Sequence, residues 1–329
     1  MLLFLFGGFP KFQIMISIKQ AAFVLGATIF LPSCGDSPDA AQLASNTRAG
    51  ESTAQGFYNR GSASEKAGKY GRAMKDFKAI TVKYPLSPVA ADAAYRYAKL
   101  LERDGEPLEA FETYDAVLTK YPASPHYAEA MKRQETIAHQ AAQGHIKNSF
   151  VGIKSRIDVK KTTEMLGKVR DNAPRAASAE RAQFTIGEVL QSRGSGIKGD
   201  AQAISAFRQL TRDYPDSKYA PEAQYRIGSI LLSQAKAGNQ DTANLDRAKQ
   251  AFDDVLIRYP NSKRAADAKR EIAKLSSGDI QRSYDIAEFY RKKGQTASAL
   301  FYYSEAVRKS KPGPLRSRAQ AWINKLSAQ

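Results

Sequence analysis

One short pattern recurs along this chain and limits its fold more than any other feature. An alanine is followed four residues later by a bulky apolar or aromatic side chain, and a proline stands eight residues beyond that. Ala73, Phe77 and Pro85 form the first copy, and Ala110, Tyr114 and Pro122 the second. Ala203, Phe207 and Pro215, then Ala248, Phe252 and Pro260, continue the series. Ala299 and Tyr303 close it with Pro312 one residue late, and Thr162, Leu166 and Pro174 form a degraded copy. A spacing of four puts the alanine and the ring on one side of a helix. Four of the prolines follow a tyrosine: Tyr84, Tyr121, Tyr214 and Tyr259. Proline cannot continue a helix and restrains the residue before it, so each Tyr-Pro ends one helix. The Ser, Asn or Asp that comes next suits the cap of the following helix. Repetition of this kind signals stacked units, each burying its apolar side against its neighbours.

A second helical stretch precedes each copy. Gly61 lies twelve residues before Ala73, with Gly68 marking the turn between them; Ala98 and Gly105 take these places in the second copy, and Ala287 and Gly294 in the last. The pattern resembles the tetratricopeptide repeat, in which small residues sit where two helices cross and an aromatic plugs the next repeat. The resemblance implies an all-α, right-handed superhelix of about five to six helix pairs over residues 54–329. Arg193–Asp200 and Lys236–Asn244 are expected to lengthen the turns inside the fourth and fifth pairs. The last stretch reads as one capping helix, with Leu315, Ala319, Trp322 and Ile323 on one side and Leu326 adjoining.

The N-terminus reads as an address. Ala21–Leu31 is an uncharged run of eleven residues, with Lys19 before it. About 20 residues are needed to span a bilayer, so the run has the length of a signal-peptide core instead. Residues 1–33 are expected to be that leader, with Met1 and Met15 both open as starts. Leu31-Pro32-Ser33-Cys34 resembles a bacterial lipobox, and Cys34 is the one cysteine in the chain. That resemblance implies cleavage before Cys34 and acylation of it; the alternative is an ordinary secretory leader with an incidental cysteine. Gly35, in place of Asp, leans toward the outer membrane. Residues 34–53 are small and polar and are expected to be a flexible tether.

The same composition removes several function classes. A single cysteine excludes an internal disulfide framework and any multi-cysteine metal site. The three histidines, His126, His139 and His145, match no metal-binding spacing. Gly194, Gly196 and Gly199 spell GxGxxG, but a helical stretch precedes them where a dinucleotide site needs a strand. Asp253 and Asp254 are adjacent on a helix and point apart. No catalytic residue, cofactor, metal or small-molecule substrate is expected. The formal charge is +17, and losing Lys11 and Lys19 with the leader leaves +15. Three readings of that charge stand: attraction to anionic lipid headgroups, a match to acidic patches on a partner, or solubility. Lys and Arg are spread over helices and not gathered in an arm, so nucleic acid is not an expected partner.

Lipobox, tether and helix pairs punctuated by YPxSxxAxxA together resemble the BamD family of outer-membrane assembly lipoproteins. The units that carry the likeness are YPLSPVAADAAYRYAKL, YPDSKYAPEAQYRIGSILL, YPNSKRAADAKREI and, most of all, SYDIAEFYRKKGQTASALFYYSEAVRKS. The resemblance implies a non-catalytic, lipid-anchored subunit on the periplasmic face of the outer membrane. Its implied partners are a BamA-like barrel subunit, other members of that complex, and unfolded outer-membrane proteins. The alternative is a periplasmic repeat protein of the Tol-Pal and cell-division type, which usually has a coiled-coil N-terminus and no lipobox. In this fold the first helix of each pair lines the inner face. An aromatic recurs there three residues before the small crossing residue: Tyr58, Tyr95, Phe184, Tyr225 and Tyr284. These rings, with Lys99, Arg103, Glu188, Glu288, Arg291 and Lys292 beside them, are the expected partner-binding residues; the other reading is that the rings pack between helices.

Overall fold

The computed structural model describes residues 53–150, 153–237 and 242–328. The expected leader, Cys34 and nearly all of the expected tether lie outside the described residues. Backbone contacts separate Met1–Ala49 from Gly50–Gln329, and everything below concerns the second unit.

Thirteen helices fill the described residues, in consecutive antiparallel pairs. The first pair is α1 (53–66) with α2 (Tyr70–Lys83), and the second α3 (Ala90–Asp104) with α4 (Pro107–Lys120). The third is α5 (Tyr127–Gln143) with α6 (Val159–Asn172), and the fourth α7 (Ala177–Arg193) with α8 (Gly196–Asp213). The fifth is α9 (Ala220–Ala237) with α10 (Thr242–Arg258). The thirty-residue α11 (Lys263–Lys292) then pairs through its C-terminal half with α12 (Thr296–Lys309), and α13 (Pro314–Ser327) closes the stack. This is the tetratricopeptide-like architecture that the repeat spacing predicts.

The crossing contact is visible atom by atom. A Cβ added to Gly61 would stand 2.9 Å from the Phe77 ring; at Gly187 it would stand 2.3 Å from Phe207, and at Gly228 2.7 Å from Phe252. Phe77, Phe207 and Phe252 are all fully buried. Sixteen residues separate Gly61 from Phe77, and the same number separates Ala98 from Tyr114 and Ala287 from Tyr303. The interval grows by four for Gly187–Phe207 and by eight for Gly228–Phe252. The extra residues are therefore about one and two turns of helix. In the fourth pair they are not the long turn that the sequence predicts. Arg193 still belongs to α7 and Gly196 already starts α8, so Gly194-Ser195 alone makes the connection. Gly194 and Gly199 meet backbone to backbone there; a Cβ on Gly194 would fall 2.8 Å from the Gly199 Cα. That close approach accounts for the GxGxxG pattern without a nucleotide.

The Tyr-Pro turns repeat one geometry. Ser87, Ser124, Ser217 and Ser262 each donate a backbone N–H to the carbonyl of Tyr84, Tyr121, Tyr214 and Tyr259, at 2.9–3.1 Å. The serine side chain does less capping than expected. In the first three turns its Oγ accepts the N–H two residues on, from Val89, His126 and Tyr219, and Ser262 Oγ is buried without a partner.

One element departs from the helical expectation. Lys147–Phe150 pairs antiparallel with Ile153–Arg156, Lys147 opposite Arg156 and Phe150 opposite Ile153. This hairpin joins the two helices of the third pair. Ile146 and Ile157 flank it and are both buried, which roots it in the core.

The buried residues fall into three clusters. One runs from α1 to α8, a second from α7 to the first half of α11, with Leu190 packed against both, and a third covers the end of α11, α12 and α13. Ala319 is buried in the last, with Trp322, Ile323 and Leu326 packed against it, as the capping-helix pattern predicts.

Candidate functional site

The five stripe aromatics occupy one repeated environment. Each leans on the ring of its own pair: Tyr58 on Phe77 at 6.0 Å, Tyr95 on Tyr114 at 6.1 Å, Phe184 on Phe207 at 5.8 Å, Tyr225 on Phe252 at 5.3 Å and Tyr284 on Tyr303 at 5.5 Å. Tyr95 and Phe184 are buried, and the other three are half-buried. The rings therefore stand between helices, buried or half-buried.

Cations cover what remains, and most come from the next first helix. Arg96 lies over Tyr58 and Phe77, Arg226 over Phe184, Arg264 over Tyr225 and Arg318 over Tyr284, at 4.6–5.5 Å from the ring centres. Lys99 lies 5.6 Å from the Tyr95 ring. Two more stripe faces are closed by stacking, Tyr95 under His126 at 4.2 Å and Phe184 under Tyr219 at 5.0 Å. Such ring and cation contacts contribute about 0.5–1.5 kcal/mol each, repeated along the stack.

The arginines are in turn held by acids. Arg96 donates to Glu65 and Ser62, Arg226 pairs with Glu188 at 3.0 Å and Glu222 at 2.8 Å, and Arg264 pairs with Glu222 and Asp267. Burial alone would raise the Glu222 carboxyl, but Arg264 and Arg226 outweigh it and hold it below the usual carboxylate range. In the first, fourth and fifth pairs a cation and a carboxylate thus tie the ring to the next first helix. His126, Tyr219 and Arg264 all stand four residues after the proline of a Tyr-Pro, and Arg96 and Arg226 directly follow a stripe aromatic. Those two positions are the sequence signal for the covering residues.

The remaining expected contacts divide. Arg103 reaches outside the stripe to lie 3.8 Å from the Tyr70 ring. Glu288 accepts from Arg291 at 2.7 Å and from the Tyr303 hydroxyl, and Arg291 lies 4.1 Å from the Trp322 ring, locking the capping helix to the last pair. Lys292 is exposed. The last group is thus packed within the fold, apart from Lys292.

The stripe lapses in the third pair. Lys132 and Glu135 stand ten and thirteen residues after Pro122, where the other pairs carry an aromatic and a small residue. A groove of 640 Å³ opens further along α5, bounded by His139 of α5, Arg181, Phe184 and Glu188 of α7, and Tyr219 and Arg226 at α9. It offers an aromatic edge, an acid and two guanidinium groups within one concavity, the mixture that fixes an extended polypeptide. Phe184 is the one stripe residue that faces this opening.

His139 gives the groove a measurable property. Its ring is buried, its Nε2 has no hydrogen-bond partner, and Glu135, 3.8 Å away, also meets Arg181 at 3.5 Å. Burial, with the Arg181 charge adding to it, pushes the imidazole down to about 4. The neutral ring is therefore the folded form. Above pH 6.5 it costs nothing; as pH falls from 6.5 toward 4 the unfolded chain takes up a proton that the folded chain refuses. Urea denaturation across that window is expected to show a loss of about 3 kcal/mol from this group. His139→Leu is expected to flatten that part of the profile with little change at pH 7. An unchanged slope would show that other groups set the acid sensitivity.

Among the described residues no helix is long and apolar enough to cross a membrane, and no group of three His, Cys, Asp or Glu could hold a metal ion.

Comparison with known proteins then gives a family. A family model described as outer membrane lipoprotein (YfiO) matches residues 50–237 and 228–311. The chain is 33% identical over 107 residues to the outer membrane protein assembly factor BamD of Neisseria gonorrhoeae, covering 30% of this chain and 39% of that protein. The BamD of Caulobacter vibrioides is 29% identical over 107 residues, covering 32% and 35%. The matched stretch thus spans well under half the length of either relative. Superposition on solved structures is weak. A tetratricopeptide repeat protein from Parabacteroides merdae gives a TM-score of 0.29 at 13% identity, over 84% of this chain and all of that one. The apo form of RapI gives 0.34 at 11%, over 82% of this chain and 75% of that one. The fold assignment rests on the helix pairs themselves.

Proposed function

The chain belongs to the YfiO family of outer membrane lipoproteins, and from that premise we propose that it is a lipid-anchored scaffold of the machinery that assembles β-barrel proteins in the outer membrane. It binds the barrel-forming subunit and unfolded outer-membrane proteins, and it transforms neither. Acyl chains on Cys34 hold it at the periplasmic face of that membrane. The family match carries this reading, and the groove of the third and fourth pairs supports it. The edge of Phe184 and the Tyr219 ring offer apolar contact to an extended client, while Arg181, Arg226 and Glu188 meet its polar groups. An aromatic rim binds such a segment at low cost in side-chain entropy.

A photoreactive residue in place of Thr185, on the groove lining, tests both parts. Irradiation of intact cells followed by purification is expected to trap unfolded barrel proteins at this position. A chemical crosslink elsewhere on the chain is expected to recover the barrel subunit. Recovery of cell-wall synthases with neither of these would move the protein to envelope constriction.

A further inference from the structure

Between each second helix and the next lies a groove whose floor is the first helix between them. The grooves are built alike but charged differently. In the first, walled by α2 and α4, Lys78 Nζ meets Glu109 Oε1 at 2.9 Å, and the space is 250 Å³. Lys78 stands one residue after Phe77, and Glu109 five residues before Tyr114. In the next, Glu112 and Asp115 of α4 meet Lys161 and Lys168 of α6 at 2.6–2.9 Å. In both, opposite charges close the walls on each other.

The groove between α8 and α10 breaks this rule. One residue after Phe207 stands Arg208, and five before Phe252 stands Arg247. These are the repeat positions of Lys78 and Glu109, now both cationic. Both side chains are exposed, and among the described residues neither makes a hydrogen bond, ion pair or ring contact. The groove is 680 Å³, with Gln224, Ile227 and Leu231 from α9 in its floor. Arg212 and Arg258 add to its walls. Arg212 is held by its neighbour Asp213, and Arg258 by the Thr211 carbonyl at 2.9 Å. Asp254 is the one acid in the lining, and it accepts from Gln224 at 3.2 Å.

We propose that the α8–α10 groove docks an acidic segment of a partner polypeptide, whose carboxylates take the place that Glu109 holds in the first groove. The occupant is read from the chain's own precedent: where the walls close, a glutamate or aspartate side chain closes them. A guanidinium fork matches a planar carboxylate better than a point charge does. The floor adds apolar surface that a peptide can cover. This groove lies on the second helices, apart from the aromatic stripe, and does not depend on the assembly reading.

The test uses the full-length chain and a fluorescein-labelled glutamate oligomer, followed by anisotropy. Arg247→Glu places a carboxylate opposite Arg208 and rebuilds the first groove's ion pair. Binding is expected to weaken by at least about tenfold, the scale of one charge-assisted hydrogen bond, while the melting temperature holds or rises. Arg208→Ala is expected to weaken binding likewise without adding an acid. Lys66→Glu makes the same change in net charge on exposed α1 and is expected to leave binding unchanged. Equal losses in Arg247→Glu and Lys66→Glu would overturn the proposal, as would absence of salt-sensitive binding to the unmodified chain. Capture of phosphatidylglycerol vesicles by the same arginines, with the glutamate oligomer ignored, would overturn it in favour of a lipid surface.

Discussion

Adding one methyl group at Gly187 is expected to destabilise the stack by about 2 kcal/mol. Its Cβ would fall 2.3 Å from the Phe207 ring, far inside van der Waals contact. Phe207 is fully buried, so the ring has no free space to enter. Overpacking of this kind costs roughly 1–3 kcal/mol. Alanine recovers up to about 1 kcal/mol through helix propensity, so the sign depends on how hard the clash is. The clash distances therefore rank the three crossings: Gly187→Ala worst, Gly228→Ala at 2.7 Å next, and Gly61→Ala at 2.9 Å nearly neutral. Denaturant midpoints of the three variants check the order. Shrinking the partner by Phe207→Leu in the Gly187→Ala background is expected to return part of the loss, with a coupling of about 1 kcal/mol. If Gly61→Ala cost more than Gly187→Ala, the ring contact would not be what sets the crossing.

With the leader exchanged for an ordinary secretory one that is cleaved without that cysteine, replacing Cys34 with alanine is expected to move nearly all of the protein from the membrane pellet to the soluble fraction. A buried acyl chain contributes about 0.8 kcal/mol per methylene; one chain binds marginally, and two or more bind durably. Nothing in the described helices substitutes for that term, since none is apolar enough to span. The net charge of +15 that remains without the leader supplies the competing source of attachment. Charge attraction to headgroups is screened by salt, and acyl insertion is not. The two are separated by washing membranes at high ionic strength before fractionation. Wild-type protein is expected to stay and Cys34→Ala to leave, with the same helical circular dichroism. Retention of the variant after the wash would refute the lipid anchor.

How much was legible follows from where the pattern is strict. Gly61, Ala98, Gly187, Gly228 and Ala287 are readable as crossing positions because close approach of two helices needs a small residue; that Gly61, Gly187 and Gly228 receive the ring of their own pair, and the ring does not plug the next repeat, is a finding of the structure. The turn glycines Gly68, Gly105 and Gly294 were readable too, and each adopts a positive φ. The hairpin was not. KNSFVGIKSR carries no apolar alternation, and two buried isoleucines outside the strands hold it in place. The sequence predicts a long turn at the short Gly194-Ser195 connection because Gly196 and Gly199 look like breakers, yet both lie in α8. The stripe was found, but its covering was not: a sequence places the rings on one face without saying that the next repeat's arginines occupy that face.

The thirty residues of α11 have one further consequence. The cluster that includes α10 ends at Leu275, and the cluster of the last pair begins at Ile280, with Ser276, Ser277, Gly278 and Asp279 between them beside a 480 Å³ cavity. Load placed on α12 and α13 is carried to the rest of the stack chiefly by a single rod about 45 Å long, whose middle has little side-chain padding. The final hairpin is thus mounted on a mast, and a bend at Gly278 would swing it as one body.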